Sequence, residues 1–383
     1  MQSNYKPIGD YIQLIDNRNS DLAIKKLLGV SINKTFIPSV ANVIGSDMAN
    51  YKIIRKNQFA CSLMQVRRDK KIPVALYSSE QPAIISQAYP VFEIIDSNTL
   101  LSEYLMMWFS RSEFDREACF YAVGGVRGSL EWDDFCKMQL PIPSLTKQQE
   151  AVDEYNIIQR RIDLNKQFCE KLEETAQTLY RKYFVDDIDE ENLPEGSRWG
   201  KLGEYCLEIK SGGTPSRLKN EYWDKKDYRW LKTGEVQNNF VFDTEEYISK
   251  DGMVNSSAKI IPINAVVMAM YGATAAQVCF LKCETTTNQA CCNMICKTKE
   301  DAAFLFFYLL FKQDEIKRMA TGGAQENLSQ ELISDLPIIF SNNSKDEFLV
   351  IIEQLENFQK QNLKLKELQT LLLAKIGRKE GKV

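Results

Sequence analysis

The sequence predicts an α+β chain. Two mixed α/β globular domains alternate with two long helices that form an antiparallel coiled coil, and the whole is a pseudo-twofold internal repeat. Three observations carry this expectation. Short apolar runs bounded by turn residues recur in both halves. Four sequence matches link the halves in the same order. Two heptad seams follow the two globules in phase.

Gly9-Asp10-Tyr11 matches Gly203-Glu204-Tyr205, and the apolar run 100–109 with Phe114 and Arg116 matches 302–311 with Ile316 and Arg318. Gly124-Gly125 with Leu130 matches Gly322-Gly323 with Leu328, and Leu140-Pro141-Ile142 matches Leu336-Pro337-Ile338. Each match is short, but four in one order at nearly constant offset mark a duplication.

Within the first globule, residues 52–54, 59–63, 74–77 and 91–95 read as strands, and residues 100–117 read as one helix with Ser97 and Thr99 near its start as caps. The second globule repeats the order. Residues 260–281 lack any charge, but Pro262, Asn264, Gly272 and Gln277 spoil a spanning helix. Alternation on either side of Tyr271-Gly272-Ala273-Thr274 reads instead as two strands and their connection.

Residues 147–184 contain no Gly or Pro, and steps of three and four pick out Tyr155, Ile158, Ile162, Asn165, Cys169, Leu172, Ala176, Leu179 and Tyr183. In the second helix the same steps pick out Ile351, Leu355, Phe358, Asn362, Leu365, Gln369, Leu372 and Ile376. At 1.5 Å per residue the first helix spans roughly 55–60 Å. Either the helices pack on each other or each lines its own globule; heptads sustained past five turns favour mutual packing. Antiparallel pairing follows, because each helix trails an equivalent globule. Asn165 and Asn362 sit in the seams, where a polar residue either fixes register or tolerates a wet edge. The resulting division is globule 1–143, helix 144–185, an acidic linker 186–198 with Pro194 and Gly196, globule 199–340, and helix 341–378, with a frayed tail.

Composition removes several function classes. The 383 residues contain no histidine, which excludes His-based triads, H-E-x-x-H zinc sites and imidazole switches. Ten cysteines form no C-x-x-C pair. The Cys279/Cys283 and Cys292/Cys296 spacings lack His support, and the start of the chain has no apolar leader core, so reduced cytoplasmic thiols are expected rather than zinc or disulfides. No P-loop and no Asn-Pro-Pro-aromatic methyltransferase loop occur, and Asp133-Asp134 reads as a solvated face. A net charge of -4 excludes a uniformly basic coat for nucleic acid.

Local charge is informative. Residues 1–71 carry twelve Lys/Arg against five Asp/Glu, a local +7, and end in Arg67-Arg68-Asp69-Lys70-Lys71. Residues 209–232 carry seven against three, a local +4, interleaved with Tyr222, Trp223 and Trp230. Basic loops with aromatic and turn residues suit phosphate contact and base-edge reading. Gly212-Gly213 and Gly322-Gly323 allow close backbone approach, to a phosphate or within a plain tight turn. Gln325 and Asn327 carry amides of the kind that pair with adenine.

Together these residues resemble the specificity subunit of type I restriction–modification systems over nearly the whole chain. The second half carries the resemblance in Leu202-Gly203-Glu204, Ser211-Gly212-Gly213-Thr214-Pro215-Ser216, Tyr222-Trp223, Trp230, Ser257-Ala258-Lys259, Tyr271-Gly272-Ala273-Thr274 and Thr287-Asn288-Gln289-Ala290. In the first, Leu-Pro-Ile before Gln148-Gln149-Glu150 matches the family junction. The first globule lacks the Gly-Gly-Thr-Pro loop, and the second junction lacks the Gln pair.

The resemblance implies a non-catalytic, cytoplasmic subunit whose two target-recognition domains each read half of a split site in double-stranded DNA. Its helices would set the spacer and dock two adenine-specific DNA methyltransferase subunits. ATP-dependent translocase–nuclease subunits would complete the restriction form. S-adenosylmethionine, ATP and Mg would sit on those partners, and no cofactor on this chain. The expected DNA-contacting residues are Lys34, Arg67, Arg68, Lys70, Lys71 and Arg127 in the first globule, and Arg217, Lys219, Tyr271, Thr274, Gln325 and Asn327 in the second. The expected helix-pairing residues are Ile158, Ile162, Asn165, Leu172, Leu179, Ile351, Leu355, Phe358, Asn362, Leu365 and Leu372. The rival expectation is a protein-binding scaffold of two globules on a coiled-coil strut.

Overall fold

The computed structural model of the chain describes residues 5–39, 47–64, 66–122, 128–186, 188, 193, 196–320, 327–341 and 345–377. The acidic linker thus lies largely outside the described residues, as do the tail, both Gly-Gly pairs of the matched loops, Arg127 and Gln325. The chain forms two compact units, residues 1–163 with 363–383, and residues 164–362. The long helices run Leu145–Phe184 and Lys345–Ile376. Each unit therefore combines one globule with a stretch of both helices, rather than with the single helix that follows it in sequence.

In the first unit, strand Tyr5–Pro7 pairs antiparallel with Gln139–Pro141, Lys6 facing Leu140, and closes the globule on itself. One sheet has the order Ile12–Ile15, Val91–Ile94, Phe59–Cys61, Val74–Leu76, and a second the order Phe36–Pro38, Leu27–Val30, Ala83–Ile85, Lys52–Ile54. Phe59, Phe92, Phe109, Phe114 and Phe135 fill the core in offset and edge contacts, the geometry that ring quadrupoles favour.

The helix expected over 100–117 is two, Ser102–Phe109 and Ser112–Tyr121. The Ser110 hydroxyl donates back to Met106 O at 2.8 Å, and Arg111 is extended, with ψ 141°. Ser97 and Thr99 do not cap. Leu101 stands at the N-cap without a side-chain bond of its own, and Thr99 donates to Asp96. The exposed end of the helix is satisfied from afar by Gln148, which is fully buried. Its Oε1 accepts from Leu101 N at 2.9 Å, and its Nε2 donates to Thr99 O and Pro143 O, both at 2.9 Å.

The second unit repeats the scheme. Arg198–Lys201 pairs with Pro337–Phe340, Gly200 facing Ile338. The larger sheet has the order Glu208–Ser211, Cys291–Ile295, Val266–Ala269, Val278–Leu281, with Asn239–Val241 added at the edge. The smaller has Glu246–Ile248, Tyr228–Leu231 and Thr286–Thr287, and an isolated Ile261–Thr285 bridge stands where the first unit has a fourth strand. The charge-free stretch 260–281 forms two antiparallel strands, Val266 facing Phe280. No described helix is long and apolar enough to cross a membrane.

The helices run antiparallel within each unit. In the first, Gln369 Nε2 donates to Gln159 Oε1 at 2.9 Å, and Lys375 lies 3.7 Å from Glu154. In the second, Asn165 Nδ2 donates to Asn362 Oδ1 at 2.9 Å, and Phe168 stacks on Phe358 at 5.4 Å. Ile162, Asn165, Ile351, Leu355 and Leu372 are buried; Ile158, Leu172, Leu179, Phe358, Asn362 and Leu365 are half-buried. The Asn pair is a direct bond between helices, not a wet edge. The helices also line the globule cores, through Val152 and Leu372 in one unit and Tyr180, Phe184 and Ile352 in the other. Mutual packing and core lining are thus both realised, and seam residues such as Ile351, Leu355 and Leu372 belong to the globule cores as well.

Candidate nucleic-acid interface

In the second unit the site is a platform of three loops. Strand Glu208–Ser211 leads into Gly212-Gly213-Thr214-Pro215. A Cβ on Gly212 would stand 2.2 Å from Thr287 O, and one on Gly213 2.3 Å from the Ser257 carbonyl carbon. The glycines therefore serve close approach to the protein's own backbone, the tight-turn alternative of the two that the sequence left open. Gly213 N donates to Thr287 O at 2.8 Å, buried Trp230 donates its indole N–H to Gly213 O at 2.9 Å, and the Thr214 hydroxyl bonds Gln289. The third loop joins by backbone: Met270 N donates to Ala290 O and Leu328 N to Met270 O, both at 2.8 Å, and Tyr271 bridges Asn327. Tyr271, Gly272 and Ala273 are exposed, Thr274 is half-buried and Asn327 is exposed. Gly272 has φ +71°, a conformation that keeps the tip free of strain only for glycine.

Beyond Pro215 the chain turns outward. The Arg217 guanidinium lies 3.5 Å from the Trp223 ring centre and 4.8 Å from that of Trp230, and bonds Glu246 at 2.5 Å. Burial alone would raise the Glu246 carboxyl, but its bonds to Arg217 and Lys232 outweigh that and hold it below its ordinary range. Arg217 is about half exposed and pre-oriented by the stack, which leaves an edge open to a phosphate. Lys219 donates to the Tyr222 hydroxyl at 2.9 Å. Between them Leu218 is 95% exposed. Lys210, Arg229 and Lys232 are paired with Glu208, Asp243 and Glu245; Lys219, Lys225 and Lys226 have no carboxylate partner among the described residues.

In the first unit the same place in the topology, between Phe59–Cys61 and Val74–Leu76, is taken by the basic run. Leu130 N donates to Leu63 O at 2.9 Å, the counterpart of Leu328 to Met270. Arg67, Arg68, Lys70 and Lys71 are all exposed. Arg68 is paired with Asp69 at 2.7 Å; Arg67, Lys70 and Lys71 have no carboxylate partner among the described residues. Lys34 is different. Its ammonium bonds Asp115 at 2.7 Å and also Phe109 O, with both side chains of the ion pair nearly buried. Burial lowers its pKa, and Asp115 opposes that fall. Lys34 is therefore an interior residue and leaves the set of surface cations.

The sequence did not single out Lys25 and Lys26, exposed just before Leu27–Val30 in the connection that corresponds to the one carrying Gly-Gly-Thr-Pro, nor Gln289 as a partner of Thr214. The Thr-Asn-Gln-Ala run was the available signal for Gln289. Among the described residues no group of three or more acids and cysteines could hold a metal. All ten cysteines are free, and burial pushes the Cys291 thiol up to about 12 and Cys169 to about 11.

Two repeated α+β units, each presenting a loop platform of different chemistry, define a two-module recognition protein. The chain matches the family described as the Type I restriction modification DNA specificity domain over residues 45–174 and 194–372, and it belongs to that family. It is 24% identical over 280 residues to the Escherichia coli type I restriction enzyme EcoR124I/EcoR124II specificity subunit, covering 70% of this chain and 66% of that one, just under two thirds of its length. It is 22% identical over 372 residues to the HindI specificity subunit of Haemophilus influenzae, covering 76% and 80%. The crystal structure of the S subunit of a type I restriction–modification system from M. genitalium has the same fold, with a TM-score of 0.56 at 14% identity over 98% of this chain and 99% of that one.

Proposed function

We propose that this chain is the cytoplasmic, non-catalytic DNA-reading subunit of a type I restriction–modification complex, and that each unit reads one half of a split, asymmetric site in double-stranded DNA. The observation that supports this most is the pair of loop platforms. They occupy equivalent places in a repeated fold yet carry unlike side chains, four cations in one and an aromatic–amide set in the other. Cations anchor the phosphates and loop side chains meet base edges; each good bidentate pair is worth ~1–3 kcal/mol of discrimination.

The paired helices set the number of unread base pairs between the half-sites and dock two adenine methyltransferase subunits. An apolar groove of about 470 Å³ between Ile157, Ile158, Leu368, Leu371 and Leu372 supports docking on the helix pair of the first unit. S-adenosylmethionine binds on those partners, and ATP and Mg on translocase–nuclease subunits. Adding one heptad to both helices should lengthen the spacer in the methylated site and leave both half-sites unchanged. An unaltered spacer in methylation sequencing would reject the ruler role.

A further inference from the structure

We propose that each candidate reading loop is held at its C-terminal foot by a side-chain clamp, Lys34 with Asp115 in the first unit and Asn238 with Gln313 in the second, and that these four are positioning residues for half-site selectivity. The inference rests on the reading of these loops as the ones that meet DNA.

In the first unit the foot is Ile72, two residues before strand Val74–Leu76. Its N–H donates to Asp115 Oδ1 at 3.1 Å, and the same oxygen accepts from Lys34 at 2.7 Å. Lys34 also reaches Phe109 O, at the end of the preceding helix. In the second unit the foot is Ala276, two residues before strand Val278–Leu281. Its carbonyl accepts from Gln313 Nε2 at 2.8 Å. Gln313 and Asn238 exchange amide bonds of 2.8 and 2.9 Å, and Asn238 Oδ1 also accepts from Val278 N at 3.0 Å.

The two clamps share a plan and no chemistry. Asp115 lies in the first turn of helix Ser112–Tyr121 and Gln313 opens helix Gln313–Ala320, each the helix that follows the apolar one of its globule. Lys34 and Asn238 come from equivalent connections, Lys34 between Leu27–Val30 and Phe36–Pro38 and Asn238 between Tyr228–Leu231 and Glu246–Ile248, just before the added strand Asn239–Val241. Both are in the left-handed region, with φ +62° and +54°. A lysine there is unusual and persists where surrounding contacts over-determine it. Each clamp thus ties the loop foot to a helix and a distant turn at once. That rigidity is what a loop needs if its tip is to discriminate bases by hydrogen bonds of fixed geometry.

The test maps adenine methylation in a host carrying the chain with its partner methyltransferase, for the wild type, Lys34→Met, Lys34→Arg and Gln313→Ala. Thermal unfolding of each purified chain is measured alongside. Selectivity is read as modification of the preferred half-site over its single-base variants. Lys34→Met should lower it by about tenfold in the first half-site and leave the second unchanged. Lys34→Arg, which keeps the cation, should restore most of it. Gln313→Ala should do the converse, and since two of its three bonds are exposed it should fold even if Lys34→Met does not; the second clamp then decides. Unchanged selectivity in folded variants, or equal loss in both half-sites, overturns the clamp while leaving DNA reading intact. A wild-type map without a split target overturns the underlying reading instead.

Discussion

The two junctions where a globule meets its long helix solve one problem in two ways. In the first unit, buried Gln148 in the opening turn of its helix satisfies the bare N–H of Leu101 and two carbonyls with a neutral amide. In the second, Thr298 caps helix Lys299–Phe311 itself, accepting from Asp301 N at 3.1 Å. Lys345, the first residue of its long helix, then bonds Asp301 at 2.7 Å, and the Tyr205 hydroxyl donates to the same carboxylate at 3.1 Å. The backbone plan is kept and the side chains that complete it are exchanged. A duplicated fold is constrained by where backbone groups must be satisfied, and much less by which residue does it.

The sharpest way to break the comparison is at a feature only one half has. Gly213→Ala drives a Cβ into backbone at 2.3 Å, so it should cost about 3 kcal/mol or more in denaturant unfolding, confined to the second unit. Gln148→Ala leaves Leu101 N unmet in a half-buried place and should cost ~1–3 kcal/mol in the first.

Acid separates the junctions further. Burial alone would raise the Asp301 carboxyl, but its bonds to Lys345, Tyr205 and Thr298 outweigh this and hold it below its ordinary value. A depressed folded-state pKa adds stability above the unfolded carboxylate range, and that stability is lost as pH falls through the folded value. The second unit should therefore lose stability in a step below about pH 4, and Lys345→Met should remove the step; Gln148, a neutral amide, contributes none of its own. The smallest effect is at the surface. Arg217→Ala should weaken binding through the second half-site and flatten the salt dependence by about one ion, read by anisotropy titration. An unaltered slope would place that cation off the DNA.

The duplication, the strands and the heptad seams were legible because they are written in local periodicity and in backbone-critical residues. Gly9 and Gly203 are examples: a Cβ would meet Cys136 at 2.8 Å in one and Ser334 O at 3.3 Å in the other. The break at Ser110-Arg111 was not legible, since nothing in an apolar run flanked by Ser and Arg demands it. Nor was the interior role of Lys34, which depends on Asp115, 81 positions away; in sequence it is one more cation in a basic segment. The Gly-Gly-Thr-Pro loop was found for its residues but its packing was left open, because close approach to a phosphate and to Thr287 need the same missing side chain.

The central claim is that two unlike platforms read two separate DNA sequences. Methylation sequencing of a host that carries the wild-type chain, and one in which Arg67, Lys70 and Lys71 are replaced by Ala, with the same partners, tests it most directly. The account predicts a split, asymmetric target in the first map and, in the second, modification lost or relaxed through one half-site alone. An uninterrupted target, or a variant map indistinguishable from wild type, would contradict it.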